Sequence, residues 1–283
     1  SVTRAGLILG SSSNTSILAC AVTGRIMVSD EYGVAGGALG QGGGDTDVSA
    51  CLSTASVSAA YYAGGIVGGY ANRMDANLSL ATLDPIGQDV GVLLGNQGIV
   101  SRSHWLQEDA LGLLRGVGYG STEQSFSATI ANLQCPTSAS DTSCYSATLF
   151  ADWDILKNFE DNSYWNFGTA TQLPGLNILG RVIRDADGDG VFDHRDAWPS
   201  DSRVGLDSDL DGYPDTFSAL CERSCQLDSG FEIDQMPYLY AAHLDADTDG
   251  LPDSWNPSCG NDCQQASGAS IDLMPGDQDN DGI

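Results

Sequence analysis

Short apolar runs punctuated by glycine set the rhythm of the first half of the chain. Four segments share one pattern: Gly6-Leu-Ile-Leu-Gly10, Gly36-Gly-Ala-Leu-Gly40, Gly64-Gly-Ile-Val-Gly68 and Gly91-Val-Leu-Leu-Gly95. Their starts lie 30, 28 and 27 residues apart. A second strand-like run follows each of the first three: Ile17–Val22, Val48–Leu52 and Ala76–Leu80. Further runs, such as Arg25–Val28 and Val57–Tyr62, fill the remainder of each period. The apolar spacing of an amphipathic helix is largely absent. Several short strands per period, with glycine at the corners, predict a β-solenoid whose coils stack about 4.8 Å apart and share one core column. Glycine is expected where a corner needs positive φ or where two backbones approach closely. Cys20 and Cys51 fall at matching places in successive coils. They can form a disulfide, or stack as a ladder of small buried side chains.

Charge divides the chain of 283 residues in two. Residues 1–180 carry 15 acidic and 6 basic side chains, whereas residues 181–283 carry 23 acidic and 5 basic. The expected domains are therefore a solenoid with its closing segment over 1–180 and an acidic repeat region over 181–283. A net charge of −27 repels nucleic acid and anionic membranes, so neither is an expected partner. No apolar run reaches the roughly 18–20 residues of a membrane helix, so no membrane insertion is expected. The chain begins at Ser1 without Met, which suits a processed or excised segment. Eight cysteines, an even number, sit partly in close pairs beside Asp-rich loops, which favours an oxidising, extracellular setting. Zinc is the alternative for the C-x3-C pairs Cys221/Cys225 and Cys259/Cys263, but the surroundings are carboxylates and no His lies nearby at ligand spacing.

The glycine-rich units resemble the GLUG motif of bacterial surface proteins. The resemblance continues through Leu133-Gln-Cys-Pro-Thr137, Phe150-Ala-Asp-Trp153, Trp165-Asn-Phe-Gly-Thr169 and Leu173-Pro-Gly-Leu176, which look like the segment that closes such arrays. It covers about residues 5–178. In physical terms Trp153, Trp165, Phe167 and Leu176 are expected to form an apolar cap over the last coil, with Cys135 and Cys144 pinning the loop between them.

The acidic region follows a different template. Its loops are Asp185-Ala-Asp187-Gly-Asp189-Gly190-Val191-Phe-Asp193, Asp207-Ser-Asp209-Leu-Asp211-Gly212-Tyr213-Pro-Asp215, Asp245-Ala-Asp247-Thr-Asp249-Gly250-Leu251-Pro-Asp253 and Asp277-Gln-Asp279-Asn-Asp281-Gly282-Ile283. Positions 1, 3 and 5 turn three carboxylates onto one point. Gly at 6 permits a sharp turn, position 7 offers a backbone carbonyl (Val191, Tyr213, Leu251), and Asp at 9 completes the near side. Calcium takes six to eight such oxygens, and magnesium tolerates the crowding poorly. A shift of 38 residues carries Asp196 onto Asp234 and Asp272, Asp207 onto Asp245, Cys221 onto Cys259 and Cys225 onto Cys263. Asp196, Asp234 and Asp272 are thus expected to close a site or bridge two ions. The region resembles thrombospondin type 3 repeats over residues 185–283, and departs from them in its 38-residue period and C-x3-C inserts. Disulfide connectivity therefore does not carry over, and local pairing, Cys221–Cys225 and Cys259–Cys263, is expected.

The expected fold is all-β: a short right-handed parallel β-solenoid of about four coils, then an irregular, calcium-wrapped repeat region. No nucleophile elbow, H-E-x-x-H or phosphate loop is present, and His104, His194 and His243 share no motif. An enzyme such as a polysaccharide-cleaving solenoid is therefore not expected. Two structural roles remain open. One is a subunit of an extracellular filament of the biofilm or adhesion type, joined head to tail to itself. The other is a stalk or spacer within a larger adhesin, flanked by modules of its own chain. Surface glycans are a further candidate partner. The fourth loop stops at Ile283, before its ninth position, so its missing ligands are expected either from a following subunit or from a continuation of the same chain.

Overall fold

The computed structural model describes residues 3–84, 87–106, 114–123, 125–141, 149–158 and 160–278. It divides into two compact units, Ser1–His194 and Arg195–Ile283. The first unit is a parallel β-solenoid of about four coils. Strands Arg4–Gly6, Val34–Gly36, Tyr62–Gly64, Asp89–Leu94 and Arg115–Val117 line up in that order on one side. Arg4 pairs with Val34, Val34 with Tyr62 and Tyr62 with Asp89. These register offsets of 30, 28 and 27 residues are the spacings of the glycine pattern. A second side carries Ser16–Val22 against Asp47–Ser53, followed by shorter strands of later coils, and a third carries Arg25–Val28, Ser56–Ala59 and Thr82–Leu83. The expected run Val57–Tyr62 is two strands, Ser56–Ala59 and Tyr62–Gly64, separated by a corner.

Stacking puts like on like. Ile17, Val48, Met74 and Val100 occupy one inward column through successive strand pairings. All four are buried, so each coil covers the apolar row of the next.

Gly24 and Gly44 take positive φ as expected (124° and 57°), but the glycines of the repeated pattern and the recurring left-handed kinks of the second side are different residues. Glycine serves close approach: a Cβ on Gly36 would overlap the Leu39 carbonyl, and one on Gly64 the Val67 carbonyl. The left-handed kinks that recur from coil to coil on the second side are taken by Ala19 (φ 54°), Ala50 (50°), Ala76 (52°) and Arg102 (41°). An L-residue there costs roughly 1–2 kcal/mol. The residue that follows each corner bonds to the next coil and offsets that cost. Cys20 forms a disulfide with Cys51, resolving the choice between bond and ladder. The Cys51 amide then donates to Asn77 Oδ1 at 2.9 Å, and the Asn77 amide to Ser103 Oγ at 3.1 Å.

The kink also reverses which side chains point inward, so the far half of each long strand needs a cover of its own. Leu52, Leu78, Phe150, Trp153, Trp165, Phe167, Leu173 and Leu176 supply it as a second core. Trp165 Nε1 donates to the Ala76 carbonyl at 3.0 Å. The aromatic cluster therefore packs along the flank of several coils rather than over the last coil alone. Its strand Gly175–Ile178 pairs with Trp165–Asn166 and with Arg181–Ile183, which leads into the first Asp-rich loop. Cys135 is disulfide-bonded; its expected partner, Cys144, lies outside the described residues.

His104 is enclosed in the same cluster, 1% exposed. Its ring stacks on Trp153 with centroids 5.5 Å apart and planes 9° from parallel. Its Nε2 bonds the Leu149 carbonyl, which fixes the tautomer with the proton on Nε2. Burial pushes its pKa down from 6.5 to about 4.

Two predictions follow from this packing. Gly64→Ala forces a methyl into the Val67 carbonyl and should cost several kcal/mol in urea unfolding, whereas Ala76→Gly should stay within about 1 kcal/mol because relief at the corner offsets chain entropy. Because the folded state resists protonating His104, its contribution is complete above pH 6.5 and is lost as pH falls toward 4. Between pH 7 and 5 this amounts to about 2 kcal/mol. Paired unfolding measurements on the unaltered chain and His104→Phe, which cancel the shared carboxylates, should show that difference in slope.

Candidate metal centre

The three described Asp-rich loops share one backbone design. Position 4 and position 6 are both left-handed: Gly188, Leu210 and Thr248 at φ 84°, 64° and 64°, then Gly190, Gly212 and Gly250 at 101°, 95° and 89°. The amide of position 6 donates to the position-1 carboxylate, as Gly190 to Asp185, Gly212 to Asp207 and Gly250 to Asp245, each at 3.0, 2.9 and 3.0 Å. The amides of Val191, Tyr213 and Leu251 donate to Asp189, Asp211 and Asp249. The position-9 carboxylates of Asp193, Asp215 and Asp253 accept from the position-2 amides of Ala186, Ser208 and Ala246. These bonds turn the carboxylates inward without neutralising their charge. In each loop, one ligand atom from each of positions 1, 3 and 5 lies within 4.8 Å of the others: Asp185/Asp187/Asp189, Asp207/Asp209/Asp211 and Asp245/Asp247/Asp249.

The loops then recruit a carboxylate from far along the chain. After the second loop, Cys221 and Cys225 form a disulfide beside the helix Arg223–Ser229, which ends at Gly230 with φ 74°. The chain turns back there, and the Asp234 amide bonds the Pro214 carbonyl at 2.9 Å. The next repeat matches it. Cys259 and Cys263 are bonded, the helix Asn261–Ser267 ends at Gly268 with φ 68°, and the Asp272 amide bonds the Pro252 carbonyl at 2.9 Å. Asp234 thus sits with the charges of Asp209, Asp211 and Asp215, while its neighbour Gln235 accepts from the Asp245 amide of the third loop at 2.8 Å. Neither helix buries a side chain; disulfide and glycine cap hold them in place of an apolar face, which is why no apolar periodicity announced them.

Several of these oxygens are buried without a hydrogen-bond donor: Asp209 Oδ2, Asp234 Oδ2, Asp245 Oδ1, Asp253 Oδ1 and Asp272 Oδ2. Burying an ionised oxygen with nothing to meet it costs several kcal/mol, so the geometry fits a hard divalent cation in the second and third loops. Burial and the neighbouring charges also raise the proton affinity of these carboxyls. Burial drives Asp185 up to about 7, and burial with neighbouring carboxylates drives Asp209 and Asp234 up to about 6. Asp193 is also raised, chiefly by burial.

The first loop is embedded in the solenoid unit. Thr23 and Thr54, at matching places in adjacent coils, both donate their hydroxyls to the Gly190 carbonyl, at 2.9 and 3.0 Å. Asp185 is fully buried, and Asp187 and Asp189 are each 9% exposed. Nothing in the Asp template pointed to the two threonines; their shared register in the solenoid is the only trace they leave in the sequence.

The remaining expected residues fall as follows. Asp196, next to the Arg195 that begins the second unit, accepts from the Trp198 amide at 2.7 Å. The Asp277 amide bonds the Met274 carbonyl at 3.0 Å, whereas Asp279, Asp281 and Ile283 lie outside the described residues. His194 stacks on Phe192, and His243 stacks on Tyr213 with its Nδ1 toward Asn256. With both C-x3-C pairs oxidised, no thiolate remains there for zinc.

No family model matches the chain, and no curated protein or solved structure matches it.

Proposed function

We propose that the chain is an extracellular structural protein whose acidic repeats are folded by calcium, and that it serves as a subunit of a surface filament or fibre of the adhesion type. The observation that carries this reading is the set of buried, donor-less carboxylate oxygens converging in repeated loops, above all Asp234 Oδ2 brought to the second loop from 27 residues beyond Asp207. An all-oxygen donor set this crowded suits calcium better than magnesium or zinc. The disulfides belong to an oxidising compartment. No helix among the described residues is long and apolar enough to cross a membrane.

The filament role rests on the first coil. Among the described residues, Arg4–Gly6, Leu9–Ser11 and Arg25–Val28 lie at the ends of their sheets, with Leu7, Ile8, Leu18 and Met27 exposed. Ile8 heads a column continued by Ala38 and Ile66, both fully buried. A further parallel coil would bury it likewise, supplied by a second copy or by a preceding coil of the same chain. A stalk within a larger adhesin is the second reading, favoured by the linkage of one repeat to the next through Gln235 and Asp245.

Calcium removal tests the reading. Chelation should collapse amide-exchange protection across residues 195–278, while the paired strands of the solenoid keep theirs. Protection unchanged by chelator would overturn the calcium assignment. Electron micrographs taken with and without chelator separate the roles. Fibres that dissolve on chelation support the subunit reading, fibres that survive it contradict a calcium joint, and monomers in millimolar calcium favour the stalk.

A further inference from the structure

We propose that Asn256 is a positioning residue through which the third Asp-rich loop tunes calcium binding at the second. This rests on the calcium reading above, and it concerns a side chain outside every loop template. Asn256 is 2% exposed. Its Nδ2 donates to Asp211 Oδ2 at 2.6 Å and to the Tyr240 carbonyl at 3.3 Å, and its Oδ1 meets His243 Nδ1 at 2.5 Å. Asp211 Oδ1 already accepts from the Tyr213 amide at 2.8 Å. Both oxygens of the position-5 carboxylate are therefore held, and its plane is fixed toward the second loop's centre. Partners that orient a ligating carboxylate in this way are typically worth about 10- to 100-fold in metal affinity.

The donor comes from the neighbouring repeat. Asn256 follows Asp253, the ninth position of the third loop, by three residues. Asp253 is itself tied into that loop by its amide to Leu244 and its carboxylate to Ala246. His243, which holds the carboxamide, also stacks on Tyr213 with centroids 3.4 Å apart and planes 6° from parallel. Positions 5 and 7 of the second loop thus both lean on the base of the third.

The equivalent position one repeat earlier shows what the backbone of the repeat fixes by itself. Ser218 makes the same backbone bonds, its amide to Arg203 as the Asn256 amide to Ala241, each at 2.8 Å. Its hydroxyl, however, turns to the Ser202 carbonyl. The fold of the repeat accepts serine here, and at Asn256 the longer carboxamide meets Asp211 of the second loop. An unliganded third loop loosens, Asn256 leaves Asp211, and the second loop binds more weakly. By linkage the second loop raises the affinity of the third by the same factor.

Calcium titration calorimetry on the full chain tests this in a double-mutant cycle. Asp245→Ala disables the third loop, and Asp209→Ala identifies the heat of the second. In the Asn256 background, Asp245→Ala should weaken the second loop by about tenfold or more. In the Asn256→Ser background, whose residue the repeat already tolerates at Ser218, the same change should alter it less than about twofold. Equal weakening in both backgrounds would overturn the proposal while leaving calcium binding intact. Absence of calcium heat in the unaltered chain would overturn the calcium reading itself, and this proposal with it.

Discussion

A carboxylate oxygen buried without a donor must be met by a cation or take up a proton, and the acidic repeats gather several such oxygens. Their amides turn each Asp inward, yet leave Asp209, Asp234, Asp245, Asp253 and Asp272 with an oxygen that no protein group satisfies. The second unit has little apolar core to set against chain entropy: Leu210, Leu227, Tyr238 and Leu273 are largely exposed. Its short helices are held by disulfides and glycine caps. On the calcium reading, the ion takes the place of the core, and binding free energy becomes folding free energy.

The solenoid solves the opposite problem with apolar columns. Every coil covers its neighbour, and the corner residues Ala19, Ala50, Ala76 and Arg102 tolerate a strained backbone because the next side chain or amide ties into the adjoining coil. The two modes of stabilisation meet at the first Asp-rich loop, where Thr23 and Thr54 clasp Gly190. That loop is the most buried of the three and the best pre-organised, because its scaffold is the solenoid itself.

Much of this was legible in the sequence. Glycine spacings of 30, 28 and 27 residues are the coil registers, because parallel stacking leaves a ladder little freedom to slip. Local pairing of Cys221 with Cys225 and Cys259 with Cys263 followed from their spacing. Other features escaped because their causes are not local. Alanine carries no mark of a left-handed corner. The aromatic cluster covers the flank because the kink at Ala50 and Ala76 reverses side-chain direction, which alternation alone does not reveal. Asp234 stands closer in sequence to the third loop than to the second, and only the helix and its glycine-capped turn return it to Pro214. Asn256 corresponds to a serine, Ser218, in the preceding repeat, so periodicity pointed away from it.

On the calcium reading the repeated carboxylates fold around metal ions, with Asp234 and Asp272 closing the second and third sites. Native mass spectrometry of the full chain, exchanged into millimolar calcium, counts those ions directly. The account predicts at least three calcium ions per chain, one for each described loop, with one fewer retained in Asp234→Ala and one fewer again when Asp272→Ala is added. A chain that retains no calcium, or an ion count indifferent to both aspartates, would contradict it.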